Sequence, residues 1–128
     1  MNREIKFRAF DEVNKVMRYD VACVDLQEEK IYFINNDNSI TAKENREFWH
    51  KPFILNQFTG LHDENGVPIY EGDVTNLGEV YFKYGTFMSG CKNDLNASHV
   101  LFYGVRKGLV VKGNIYENEN LLKQKDGN

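Results

Sequence analysis

Cysteine is scarce: two in 128 residues, Cys23 and Cys91, far apart and without CxxC spacing. That argues against a disulfide-built scaffold and against a thiolate metal cluster. Lone cysteines of this kind are expected to be buried small hydrophobes, and a bond between them is left open. Proline is equally scarce, at two. No apolar run approaches the roughly 20 residues that cross a membrane, so no membrane partner is expected. Met1-Asn2-Arg3-Glu4 leads into no apolar stretch of a signal peptide, and a reduced, cytoplasmic protein is the expectation. Charge of one sign is lacking too. A net charge of −3 and a pI near 5.6 argue against a wholesale polyanion binder.

Catalytic signatures are missing as well. His50, His62 and His99 are scattered, in no HExxH, HxH or Cys-His spacing. The chain holds no GxSxG, no P-loop and no GxGxxG. Neither a metal nor a cofactor is expected, and a non-catalytic protein is preferred to an enzyme.

Aromatic residues are plentiful, with 9 Phe and 7 Tyr, which suit half-buried sheets. The expected fold is α+β and predominantly β, with a bent antiparallel sheet or small barrel and one or two short helices. Residues 1–122 fit one domain, with two lobes dividing near 36–52 as a variant of it, and 123–128 read as a frayed tail. Ile5, Phe7 and Ala9 alternate with Lys6 and Arg8, the period of a half-buried strand with its cations outward. Met17, Tyr19 and Val21 form the return. Ile31–Ile34 is a short apolar run expected at a sheet centre. Thr41 and Glu44 have capping-box spacing, which makes 41–49 either a short helix stopped by Pro52 or an irregular loop. Further strands are expected at 53–58, 79–84, 100–103 and 109–111, with a loop over 89–98 and a last strand ending at 114–116.

The densest run of turn chemistry is Gln57–Val74. Asn65-Gly66 suits a type I′ turn, with positive φ at both residues. Gly72 suits a second reversal, with Asp73 bonding back to nearby amides. Glu71 and Asp73 flank a glycine and, with Asp63, offer the oxygens a hard cation or a hydrolase would use. The turn reading is the stronger one, so Gln57, Thr59, Gly60, Asp63, Asn65, Gly66, Tyr70, Glu71, Gly72 and Asp73 are read as fold-specifying. Basic residues gather at the two ends: Arg3, Lys6 and Arg8, then Arg106, Lys107 and Lys112. With the interleaved aromatics of 7–10 and 81–84 they make the candidate contacts for single-stranded nucleic acid. An ordinary mixed-charge surface over sheet-core aromatics is the commoner outcome.

Three segments resemble the YopX family. Ile5–Asp11 followed by Met17 resembles its KFRAW-D segment, with Phe10 in place of Trp. Gln57–Val74 resembles QYTGL-D-NG-IYEGD-[IV], with Phe58 in place of Tyr. Gly113–Asn118 with Leu121 and Leu122 resembles GNIYENPELL, with Glu119 in place of Pro. The resemblance implies a phage or prophage protein acting inside a bacterial cell. It brings no catalytic residue and no substrate. The expected function is therefore a non-catalytic accessory module that binds a host or phage macromolecule, a protein before a nucleic acid, with a homo-oligomer allowed. The alternatives are the single-stranded nucleic-acid binder and a metal-dependent enzyme built on Asp63, Glu71 and Asp73.

Overall fold

The structure, a computed structural model, describes residues 4–46, 51–118 and 120. The described residues form twelve strands and a six-residue helix, so the chain is predominantly β. They fall into two compact units, one of residues 5–57 and one of residues 1–4 and 58–128. The boundary lies inside the strand Phe53–His62, whereas the sequence offered 36–52 as the place for a division within one domain.

In the unit of residues 5–57, strands β1 (Phe7–Asp11) and β2 (Val16–Arg18) form the expected first hairpin. The first residues of β6 (Phe53–His62) pair with β1 on its other side, Phe7 opposite Gln57 and Asp11 opposite Phe53. Strands β3 (Val21–Asp25), β4 (Lys30–Ile34) and β5 (Ile40–Glu44) make a second sheet with β4 in its centre. Ala9, Ile31, Phe33 and Phe53 join into its core, with Val21 and Leu55 against them. Arg18 closes one side: its guanidinium lies 4.0 Å over the Phe33 ring while both Asp20 oxygens hold it.

Two expectations fail here. Thr41–Glu44 is strand, not helix or loop. Thr41 pairs with Phe33 and Lys43 with Ile31, so a ladder along the whole of β4 outweighs a local capping box. Of the remainder of that expected segment, residues 47–49 lie outside the described residues. Arg8, expected to face outward, is 2% exposed, because Asn56 Oδ1 and the Tyr19 hydroxyl accept its N–H groups.

The second unit takes the remainder of β6 and pairs it with β7 (Pro68–Tyr70). Its main sheet has the order β11-β10-β9-β8-β12, from β8 (Asp73–Thr75), β9 (Gly78–Lys83), β10 (Thr86–Cys91), β11 (Asp94–Val100) and β12 (Val111–Asn114). Ile69, Val80, Leu101 and Leu109 form its core. Again the sequence misleads in places. The expected loop 89–98 is mostly the β10–β11 hairpin, whose outer strand is polar and exposed and so carries no hydrophobic period. The expected strand at 100–103 is helix α1 (Leu101–Arg106), which lacks a side-chain N-cap and is held by packing of Leu101 and Val105 on the core. Cys23 and Cys91 are exposed free thiols, not buried hydrophobes.

One device recurs along the chain. Asp11, Asp25, Asp37, Asp63, Asp94 and Asn114 each open a turn by accepting the amide two residues on, at 2.8–3.1 Å. Five of these six residues are aspartates, so part of the acidity of this chain serves to turn it. The converse case is Ser89, fully buried with a hydroxyl that has no hydrogen-bond partner. Ser89→Ala is expected to be neutral or stabilising, by up to about 1 kcal/mol, because an unpaired buried hydroxyl is removed. Thermal melting checks this; a fall of several degrees would contradict it.

Candidate functional site

The constellation read from sequence is Gln57–Val74, and its geometry follows residue by residue. Gln57 closes the ladder with β1. Thr59 and Gly60 make an irregularity in β6: Thr59 Oγ1 donates to the Ile69 carbonyl at 2.7 Å and accepts the Leu61 amide, and Gly60 has φ +87°. Asp63 is buried. Its Oδ1 accepts the amides of Asn65 and Val67 at 2.8 and 2.9 Å, and its Oδ2 accepts that of Val111 at 2.9 Å. One carboxylate therefore shapes a turn and pins it to β12, 48 residues on. Gly66 alone of the Asn65-Gly66 pair has positive φ, +81°, so the turn is not the expected type I′. The Gly66 amide donates to the Asp63 carbonyl and the Asp63 amide to that of Val67, which makes a three-residue loop ending in a left-handed glycine.

The next reversal is built in the same way. Asp73 Oδ2 accepts the amide of Tyr70 at 2.8 Å, and Gly72 holds φ +88°. The Gly72 amide donates to Val80, and its carbonyl accepts Ile115 at 2.9 Å. Ile115 belongs to the third resembling segment, itself wound around Asn114. Asn114 Oδ1 accepts the amides of Tyr116 and Glu117, and Asn118 Oδ1 accepts that of Asn114. A Cβ on Gly113 would lie 2.5 Å from Asn118 Oδ1, which is why glycine precedes this clasp.

These bonds set the electrostatics. Burial pushes the Asp63 carboxyl up, but the amides of Val111, Val67 and Asn65 more than offset it and leave it below the ordinary carboxylate value. Its oxygens already accept three donors, so they make poor cation ligands. Glu71 is half-buried beside this turn. Among the described residues no group of three His, Cys, Asp or Glu side chains is arranged to hold a metal.

The basic candidates separate. Arg3 lies outside the described residues. Lys6 is half-buried and Arg8 is buried, whereas Arg106, Lys107 and Lys112 are exposed in the second unit. The same unit exposes two aromatics of the expected 81–84 run together with two that the sequence did not single out, Phe102 and Tyr103. Phe82, Tyr84, Phe102 and Tyr103 are 54, 73, 56 and 48% exposed. Lys83 Nζ lies 5.4 Å from the Tyr84 ring centre and Lys107 Nζ 5.3 Å from that of Tyr103. A signal was present in the chain: from Val80 to Tyr116 there is one acid, Asp94, against Lys83, Lys92, Arg106, Lys107 and Lys112. The first unit has a cavity of about 410 Å³ with Ile31, Ile54 and Leu55 in its lining. Its charged residues, Asp25, Glu29, Lys30 and Lys51, are of both signs and select no ligand class.

The sequence pattern of the YopX protein family matches residues 6–123. The chain belongs to the YopX family. No curated protein is significantly similar to it. Among solved structures, the YopX chain is similar to the crystal structure of protein EF1440 from Enterococcus faecalis. The TM-score is 0.63 at 25% identity, over 94% of this chain and 99% of that one. No helix among the described residues of this YopX chain is long and apolar enough to cross a membrane.

Proposed function

We propose that this YopX chain is a phage or prophage accessory protein that works in the bacterial cytoplasm as a non-catalytic module binding a host or phage macromolecule. The observation that carries this is the exposed aromatic set Phe82, Tyr84, Phe102 and Tyr103 on the second unit. Aromatic side chains offer 150–250 Å² each for burial and dominate interface energetics. Exposing four of them on one small unit is costly unless something covers them. The metal-dependent enzyme is disfavoured by Asp63, whose oxygens are committed to amides.

A photo-crosslinker placed at Phe102 in cells that express the full chain tests the reading. The expected result is one discrete adduct; an adduct at twice the chain mass identifies a second copy as the partner. No adduct, together with a metal-dependent turnover lost in Asp73→Asn, would overturn it.

A further inference from the structure

We infer that the aromatic face of the second unit binds single-stranded nucleic acid, with Tyr84, Phe82 and Phe102 as stacking platforms and Lys83, Arg106 and Lys107 as phosphate contacts. The inference rests on the macromolecule-binding reading above and names its partner.

The platforms and the phosphate contacts sit on two elements that pack together, the β9–β10 hairpin and α1. Lys83 and Thr86 pair across a two-residue turn made by Tyr84 and Gly85, at φ +57° and +76°. Phe82 packs edge-on against Phe87 at 5.1 Å, directly across the hairpin. Phe87 of this hairpin and Val105 of helix α1 pack on the same core, which brings the two elements side by side. Tyr103 lies on the exposed side of α1 against His99.

Charge then selects among macromolecules. Lys83, Arg106 and Lys107 make no ion pair with any described carboxylate, and two of them stand over exposed rings. The acids of this sheet lie elsewhere. Glu79 pairs with Gly90 at the opposite end of the hairpin, and Asp94 opens the far turn. Glu64 borders the patch at Gly108. On a chain of net charge −3, a locally cationic and aromatic surface suits an anionic polymer with flat faces. Any base offers such a face, so the surface is expected to bind with little sequence preference.

Tyr84 adds a second argument. It occupies the first position of a primed turn, where Asn, Asp or Gly is at ease and a bulky residue is strained. The strain holds a ring 73% exposed at the hairpin tip, where it contributes nothing to the core. Tyr84→Asn separates the two effects: it relieves the backbone and removes the platform.

Fluorescence anisotropy of the full chain with labelled oligo-dT at low salt tests this. The expected result is sequence-tolerant binding, with log K falling against log salt at a slope of about −2 for three phosphate contacts. Phe102→Ala is expected to weaken binding about fivefold or more. Tyr84→Asn is expected to weaken it similarly while raising the melting temperature by about 2–4 °C. No complex at low salt, or binding that both variants retain in full, overturns the inference. If oligonucleotide fails while a protein crosslinks at Phe102, the nucleic-acid assignment falls and the macromolecule-binding reading stands. If neither oligonucleotide nor protein is captured at that face and a metal-dependent turnover is lost in Asp73→Asn, both fall.

Discussion

Replacing Asp63 with alanine is expected to cost on the order of 3 kcal/mol, a large share of the roughly 5–15 kcal/mol that holds a small domain together. The reason is the number of donors on one carboxylate. Val111, Val67 and Asn65 all give their amides to Asp63. The Val67 and Asn65 side chains are exposed, so water relieves part of the loss at their amides. The Val111 amide lies farther in, at the root of β12, and its loss removes the link between a turn and the strand 48 residues away. Asp63→Asn is expected to fall between wild type and alanine. The amide side chain keeps one acceptor oxygen but presents an NH₂ group to a donor on the other side.

The pH dependence follows from the same bonds. The folded carboxyl titrates below its ordinary value of 3.8, held there by the amides against the effect of burial. Asp63 therefore contributes stability that is fully present above that ordinary value and is lost as pH falls through the lower folded one. Asp11 adds a contribution of the same sign. Burial raises its carboxyl, and the Asn14 and Val13 groups outweigh that. The melting-temperature gap between wild type and Asp63→Asn should thus be widest near neutrality and shrink in acid. A gap that stayed constant through the acid range would contradict this.

Gly72→Val is expected to send the protein to the insoluble fraction. Gly72 is buried at φ +88°, a conformation that a β-branched residue adopts only under severe strain. Its amide and carbonyl both tie the turn down, to Val80 and Ile115, so the turn cannot swing away to relieve the strain without losing both bonds. Gly66→Ala is the matched control. Gly66 also has positive φ, but it is exposed and a Cβ there meets nothing within 4 Å. It should cost about 1 kcal/mol and leave the protein soluble. A soluble Gly72→Val protein with the wild-type melting temperature would show that the turn tolerates a side chain.

These two residues show what was legible in the sequence. A glycine in a turn, or an aspartate that accepts a nearby amide, acts over a few residues: Gly72 has the positive φ expected of it and Asp73 bonds back to Tyr70, whereas Asn65-Gly66 departs from the expected type I′. The misreadings have a common cause. Thr41–Glu44 is strand because β4 needs a partner, and Leu101–Arg106 is helix because Leu101 and Val105 find a core to rest on. Neither cause is local. Arg8 looked like a surface cation because alternation placed it outward. Asn56, 48 residues away, is what makes its burial tolerable. The aromatics of 81–84 read both as a stacking platform and as sheet core, and Phe102 reads as strand. Composition alone does not choose between the two readings; the exposure of Phe82, Tyr84 and Phe102 separates them from a sheet core.

Asp63 and Asp73 are expected to hold the fold through their bonds to backbone amides and not to bind a ligand. Urea unfolding of the wild-type protein with and without excess Mg²⁺ or Mn²⁺ tests this most directly, because any ligand bound only by the folded state raises the midpoint. The prediction is an unchanged midpoint with either ion, and a lower midpoint, equally indifferent to metal, for Asp63→Asn. A metal-dependent rise in the wild type that disappears in Asp63→Asn or Asp73→Asn would contradict the account.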